Sequence, residues 1–214
     1  PWKPLSQLGQ RDVAIGDVRG PAGGGAPQPN LVCMGMALRD AQFSCPTEID
    51  RVGSVEIFDL TRSSTDPLFQ VSLLPPTESG CGPETIGDFG HGLTIGDVNG
   101  DGIDDLVVGA PASDGDRGRV YVFFGHAGFL TTPYQDWMGI MAPSAVSDQE
   151  NFGADVGLVD FDQDGHPELV VGSIEKIRTT SPRPGRAYIF RGTDLVTLAA
   201  LPNVGLASIS GGRV

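Results

Sequence analysis

Nine residues, Asp97-Val98-Asn99-Gly100-Asp101-Gly102-Ile103-Asp104-Asp105, put oxygen-bearing side chains at positions 1, 3, 5 and 9 of one short stretch, with glycine at position 6. Alternate side chains of a tight loop turn inward together, so Asp97, Asn99, Asp101 and Asp105 can converge on one point. The main-chain carbonyl of Ile103, at position 7, supplies a further oxygen. Calcium takes about six to eight oxygen ligands at roughly 2.3–2.6 Å, so the spacing predicts a calcium loop. The pattern returns 63 residues later, with Asp160, Asp162, Asp164 and Glu168 at positions 1, 3, 5 and 9, Gly165 at position 6 and the His166 carbonyl at position 7. Metal-free Asx turns are the plainer reading of such loops. An EF-hand does not fit: it needs flanking helices and a bidentate Glu at position 12, where these loops carry Val108 and Val171.

The elements that hold the first loop read as strands. LTIGDV, DLVVGA and RVYVFF are short, rich in β-branched and aromatic residues, and bounded by Gly- and Asp-rich turns. The stretch NFGADVGLVDFDQDGHPELVVGS followed by PGRAYIFRG repeats the unit in register, Phe152 answering to Phe89. Two copies at one offset point to a repeat architecture.

Phe89-Gly90, the Asp97–Asp105 loop and Gly109-Ala110-Pro111 together resemble the FG-GAP repeats of integrin α-subunit propellers and of many bacterial surface proteins. The second copy keeps Phe152-Gly153 and the loop, but has Gly172-Ser173-Ile174 in place of the GAP triplet. The resemblance runs over residues 8–201, strong in two copies and weak in the first. It implies an all-β chain of β-propeller blades, each of four antiparallel strands. Residues 1–80 are then a degenerate first blade, 81–143 a second and 144–202 a third, with 203–214 the start of a further blade or a closing strand. Propellers have about four to eight blades, so this chain is expected to be completed by further blades or by another chain. The implied role is a calcium-binding module for adhesion or recognition, extracellular, on the cell surface or periplasmic, with two structural calcium ions.

Composition agrees with many short strands and tight turns: 31 Gly, 17 Pro and only 19% charged residues. The net charge of −13 and pI of 4.4 set the surface against nucleic acid and anionic membranes. No stretch approaches the roughly 18 apolar residues of a spanning helix, so no membrane insertion is expected. The chain opens at Pro1 with neither Met nor signal peptide, as a mature product or a fragment would.

In chain order, VAIGDV (13–18) aligns with LTIGDV and Asp17 with Asp97, but position 3 is Arg19, so this loop is expected to bind no calcium. LVCMGMA, SVEIFDL and FQVSLLP supply the remaining strands of the first blade. The second gains an outer strand near Asp136–Ala142. The third uses 154–159, 168–173, 186–191 and 195–201, and no useful helical periodicity is found. In an up-and-down blade the metal loops lie at one end. The long loops at 38–52, 76–88, 112–117, 143–151 and 174–184 lie at the other, which is the expected surface for a protein or carbohydrate ligand. The same topology suggests a Cys45–Cys81 disulfide, while Cys33, aligned with Val108, is a buried thiol.

Other chemistry finds little support. His91, His126 and His166 share no zinc spacing; G-x-S-x-G, RGD and N-x-S/T are absent. Phe89 and Phe152 read as packing between blades, and Trp2, Trp137 and Tyr134 as core or rim. No catalytic residue is assigned. A lyase or hydrolase scaffold, or a plain spacer, is the alternative function class.

Overall fold

A computed structural model describes residues 10–20, 31–36, 52–76, 87–142, 150–174, 185–199 and 212–213. The first sheet holds β1 (Gln10–Gly16), β2 (Leu31–Met36), β3 (Val55–Asp59) and β4 (Gln70–Leu73). The second holds β5 (Leu93–Gly96), β6 (Asp105–Ala110), β7 (Arg119–Phe123) and β8 (Trp137–Met141), with a turn, α1 (Ser113–Asp116), between β6 and β7. The third holds β9 (Phe152–Val159), β10 (Glu168–Ser173), β11 (Arg186–Phe190) and β12 (Gly212–Arg213), with helix α2 (Gly192–Ala199) before the last strand. All three are antiparallel and have four strands in sequence order, as propeller blades do.

The middle sheet is covered on both faces, which explains why β6 and β7 are buried at every residue. Alternation assigns the faces. Leu106, Val108, Tyr121 and Phe123 join Leu31, Cys33, Val55 and Ile57 in a core with the first sheet. Val107, Val120 and Val122 join Leu169, Val171, Tyr188 and Phe190 in a core with the third.

The joints between sheets are built from the Phe-Gly pairs. Phe89 is fully buried, with ring centroids 5.7 Å from Tyr121 and 6.1 Å from Phe123; Phe152 repeats this at 5.4 Å from Tyr188 and 5.9 Å from Phe190. Each phenylalanine also bridges, parallel, to a glycine of the preceding blade, Phe89 to Gly53 and Phe152 to Gly118. The next residue presses its carbonyl onto the second strand of that blade. A Cβ on Gly109 would lie 2.0 Å from the Gly153 oxygen, and one on Gly35 would lie 1.9 Å from the Gly90 oxygen. Only glycine permits main chain to meet main chain this closely. Gly109 of the GAP triplet and Gly35 are therefore equivalent.

That equivalence corrects one alignment. Cys33 pairs with Ala14 as Val107 pairs with Thr94, so Cys33 corresponds to Val107 and not to Val108. The connection between β1 and β2 is longer than that between β5 and β6, and this shifts the register. The thiol is buried as expected, and burial pushes its pKa up to about 12, leaving it unreactive. Cys45 and Cys81 lie outside the described residues, so the disulfide is not addressed.

The outer strand expected at 195–201 is also corrected. Those residues are largely in α2, and Gly212–Arg213 pairs with Tyr188 and Ile189 instead. The segment TDLVTLAA has no period-2 alternation. It carries Asp194 in its first turn, where the helix dipole favours a negative charge, and is rich in Leu and Ala. The described part of 203–214 thus closes the third sheet.

The joint can be tested directly. Gly109→Ala should cost about 1–3 kcal/mol or more, as overpacking does, and Phe152→Ala about 3–5 kcal/mol, both read by chemical denaturation. Wild-type stability in Gly109→Ala would refute the backbone contact.

Candidate metal centre

Both loops join the first two strands of a blade, β5 to β6 and β9 to β10. Gly100 and Gly102 take φ of +77° and +82°, and Gln163 and Gly165 of +60° and +89°. These left-handed residues let a short loop double back. The first-position carboxylate then caps it. Asp97 Oδ1 accepts the N–H of Gly100 at 2.6 Å and of Asp101 at 3.1 Å, while Oδ2 accepts that of Gly102 at 2.8 Å. Asp160 takes the N–H of Asp164 at 3.1 Å and of Gly165 at 3.0 Å. Asp101 and Asp164 each accept the N–H of the position 7 residue, Ile103 or His166, at 2.8 Å. Position 9 ties the loop to the strand after next. Asp105 accepts the Val98 and Gly125 N–H groups at 2.9 and 2.8 Å; Glu168 accepts those of Phe161 and Gly192 at 2.9 and 3.5 Å.

The second loop draws its acids together. Carboxylate oxygens of Asp160, Asp162 and Glu168 lie within 4.8 Å of one another. Oxygens on one calcium ion can be up to about 5 Å apart, twice the bond length, so this donor set fits the ion. Among the described residues no such trio forms from Asp97, Asp101 and Asp105. There Asn99 Nδ2 donates to Asp101 Oδ2 at 3.0 Å, and Asp101 N–H to Asn99 Oδ1 at 3.0 Å, so these two side chains engage each other.

The profile of the FG-GAP repeat family matches residues 89–123 and 152–190, each running from a Phe-Gly joint through one of these loops to the third strand. This chain carries FG-GAP repeats. It is 35% identical over 124 residues to integrin alpha-8 of Gallus gallus, covering 56% of this chain and 11% of that protein. It is 31% identical over 163 residues to integrin alpha-X of Mus musculus, covering 65% and 13%. It is 33% identical over 120 residues to phosphatidylinositol-glycan-specific phospholipase D of Mus musculus, covering 54% and 14%. The chain thus spans 11 to 14% of the length of these relatives.

The first FG-GAP-like blade balances charge internally. Leu31, opposite Gly16, stands where Asp105 stands opposite Gly96. Arg19 reaches inward from position 3, bonding Asp17 at 3.1 Å and Asp59 at 2.5 Å. Asp59 is fully buried and also accepts the Thr61 amide and hydroxyl and Arg62 Nε. Burial would raise its pKa, but these donors and the Arg19 charge outweigh it and hold the carboxyl below its usual value. Asp59 and Arg62 were not signalled by the loop spacing; Asp59-Leu60-Thr61-Arg62 carries only an Asx-turn signal. Asp104, at position 8, is not among the expected ligands; its Oδ2 accepts the Asp17 N–H at 2.9 Å and links the two loops. Of the aromatic candidates, Trp137 packs 5.9 Å from Tyr121, and the Tyr134 hydroxyl bonds the main chain of Leu74. Trp2 lies outside the described residues.

Asp105 is the loop acid whose protonation is most displaced. Burial is the main cause, followed by repulsion from Asp101 and Asp97; together they outweigh two backbone donors and push it up to about 7. A raised carboxyl pKa favours the folded state when the group is protonated. In chelator, this contribution is full below the unfolded carboxylate pKa of about 4 and is lost as pH rises to about 7. NMR-detected carboxyl titration of metal-free protein should show a midpoint for Asp105 near 7; a midpoint near 4 would refute the assignment.

Proposed function

We propose that this chain is an extracellular or cell-surface recognition module whose calcium ions are structural, bound at Asp97/Asn99/Asp101/Asp105 and at Asp160/Asp162/Asp164/Glu168 with the Ile103 and His166 carbonyls. The observation that carries it is the close approach of the Asp160, Asp162 and Glu168 oxygens in a loop of FG-GAP pattern. A cation there cancels repulsion among acids that the fold forces together. The Asp17 loop already has Arg19 for that purpose.

The ligand, a protein or a carbohydrate, docks on the end of the blades opposite the calcium loops. Of the loops at that end, 112–117 is described; residues 38–51, 77–86, 143–149 and 175–184 are not. A second reading, a propeller scaffold within an enzyme, is favoured by the likeness to the phospholipase D. No helix among the described residues is long and apolar enough to cross a membrane.

Further blades or another chain complete the propeller, and one loop position supports this. Val18 and Val98, at position 2, are fully buried under the next blade, whereas the equivalent Phe161 is 60% exposed. At the other open face Ile15 is 61% exposed. Val13 is exposed beside Ile15 on β1, and Val159 beside Phe161 at the end of β9; apolar groups exposed together mark association sites. The isolated segment should therefore self-associate in sedimentation; a compact monomer with a cooperative melt would overturn this.

Calorimetric titration should give two calcium sites of about 10⁻⁴–10⁻³ M and none at Asp17, with a melting temperature raised by calcium. One site or none, or melting indifferent to chelator, would refute the calcium reading.

A further inference from the structure

The position 7 residue does more than offer its carbonyl. Its side chain leaves the loop and lies on the glycine at position 4 of the loop before it. An ideal Cβ on Gly20 would be 2.9 Å from Ile103 Cδ1, and one on Gly100 would be 3.1 Å from His166 Cε1. The arrangement occurs at both junctions among the described loops. His166 Nδ1 is shut away from solvent with no hydrogen-bond partner, so packing against Gly100, not a polar contact at that nitrogen, sets this edge of the ring. Gly100 is in turn the left-handed pivot of its loop, and its N–H holds Asp97 Oδ1 at 2.6 Å. One side chain therefore connects the position 7 main chain of the 160–168 loop to the first acid of the 97–105 loop.

We propose that the two calcium loops are coupled through His166, so that filling the 160–168 loop raises the affinity of the 97–105 loop. This rests on the calcium reading above. Calcium at 160–168 restrains the His166 main chain, and the restrained ring braces Gly100 in the conformation that presents Asp97. The 160–168 acids lie together, whereas Asn99 Nδ2 donates to Asp101 Oδ2. The receiving loop is thus the one with rearrangement left to make. Coupling of this kind is reciprocal, so a filled 97–105 loop also tightens its neighbour. Ile103 on Gly20 and Asp104 on Asp17 carry the same restraint onward to the metal-free first loop.

The test is a calcium titration of the whole chain followed by the amide signal of Gly102, a first-loop residue that His166 does not touch. Asp162→Ala disables the second loop at an exposed acid that accepts the Asp164 N–H at 3.2 Å. It should weaken calcium binding at 97–105 by about fivefold or more, the lower end of typical coupling. His166→Ala, which keeps the carbonyl, should weaken the first loop similarly and make Asp162→Ala inconsequential there. His166→Phe, which keeps a ring over Gly100, should preserve the effect. Equal first-loop affinity in wild type and Asp162→Ala overturns the coupling, and so does an Asp162→Ala effect that persists in the His166→Ala background. Absence of any calcium shift in either loop of the wild-type chain overturns the calcium reading itself, and the coupling with it.

Discussion

The contact on which the rest depends is main chain against main chain: the Gly153 carbonyl on Gly109, and the Gly90 carbonyl on Gly35. It fixes how near one sheet lies to the next at the strand-two glycine. Once that spacing is set, the adjoining Phe89 or Phe152 has room only between the aromatic residues of its own third strand and the preceding blade. A hydrophobic core alone would tolerate sliding of one sheet over another, because apolar burial has no direction. The glycine contact and the parallel bridge at Gly53 or Gly118 remove that freedom. The loops at the far ends of the strands are then stacked in register, which is why position 7 of one meets position 4 of the next.

That stacking turns charge into a structural problem with two answers. In each blade the start of strand two and the loop before it lie close to acids that cannot move apart. The first blade uses a covalently attached cation, Arg19, between Asp17 and Asp59. Its strand two correspondingly begins with an apolar residue, Leu31, where the other blades have Asp105 and Glu168. The later blades keep the acids and supply no basic side chain at position 3. Asp105 in particular is buried beside Asp97 and Asp101, and holds its proton to about pH 7 in the absence of metal. Desolvating a carboxylate is costly unless a charge partner is present. In the later blades the proposed calcium ions would be that partner.

Much of this was legible in the sequence because the repeat appears twice in one register. The strands around Asp97–Asp105 and Asp160–Glu168, the buried roles of Phe89 and Phe152, and Arg19 as the odd residue of the first loop all follow from the comparison of copies. What was not legible came from places where a copy departs from its siblings. The long connection before Leu31 hid the true register of Cys33, since the glycine that marks it, Gly35, sits in Met34-Gly35-Met36 and not in a GAP triplet. The helix at Gly192–Ala199 was missed because a fourth strand was expected by analogy, although the residues lack alternation. Asp59 and Asp104 were missed for another reason. Their partners, Arg19 and the Asp17 amide, are 40 and 87 residues away, and no local pattern encodes a contact at that separation.

Position 2 also distinguishes the covered sheet faces from the open one. Position 2 of each loop is a probe of the following blade, because its side chain points at the neighbour's sheet. Val18 and Val98 are small and sealed, while Phe161 is large and open to solvent. Gly172 and Gly185 occupy the positions that receive a Phe-Gly pair in the two preceding blades, at Gly35 and Gly109 and at Gly53 and Gly118. A Cβ on Gly185 would lie 3.0 Å from the Ser173 oxygen and one on Gly172 3.3 Å from Asp155 Cβ, so packing within the sheet itself already leaves little room for a side chain at either. In the blade that exposes Phe161, Gly172 and Gly185 match in position the glycines at which the first two sheets meet their neighbours.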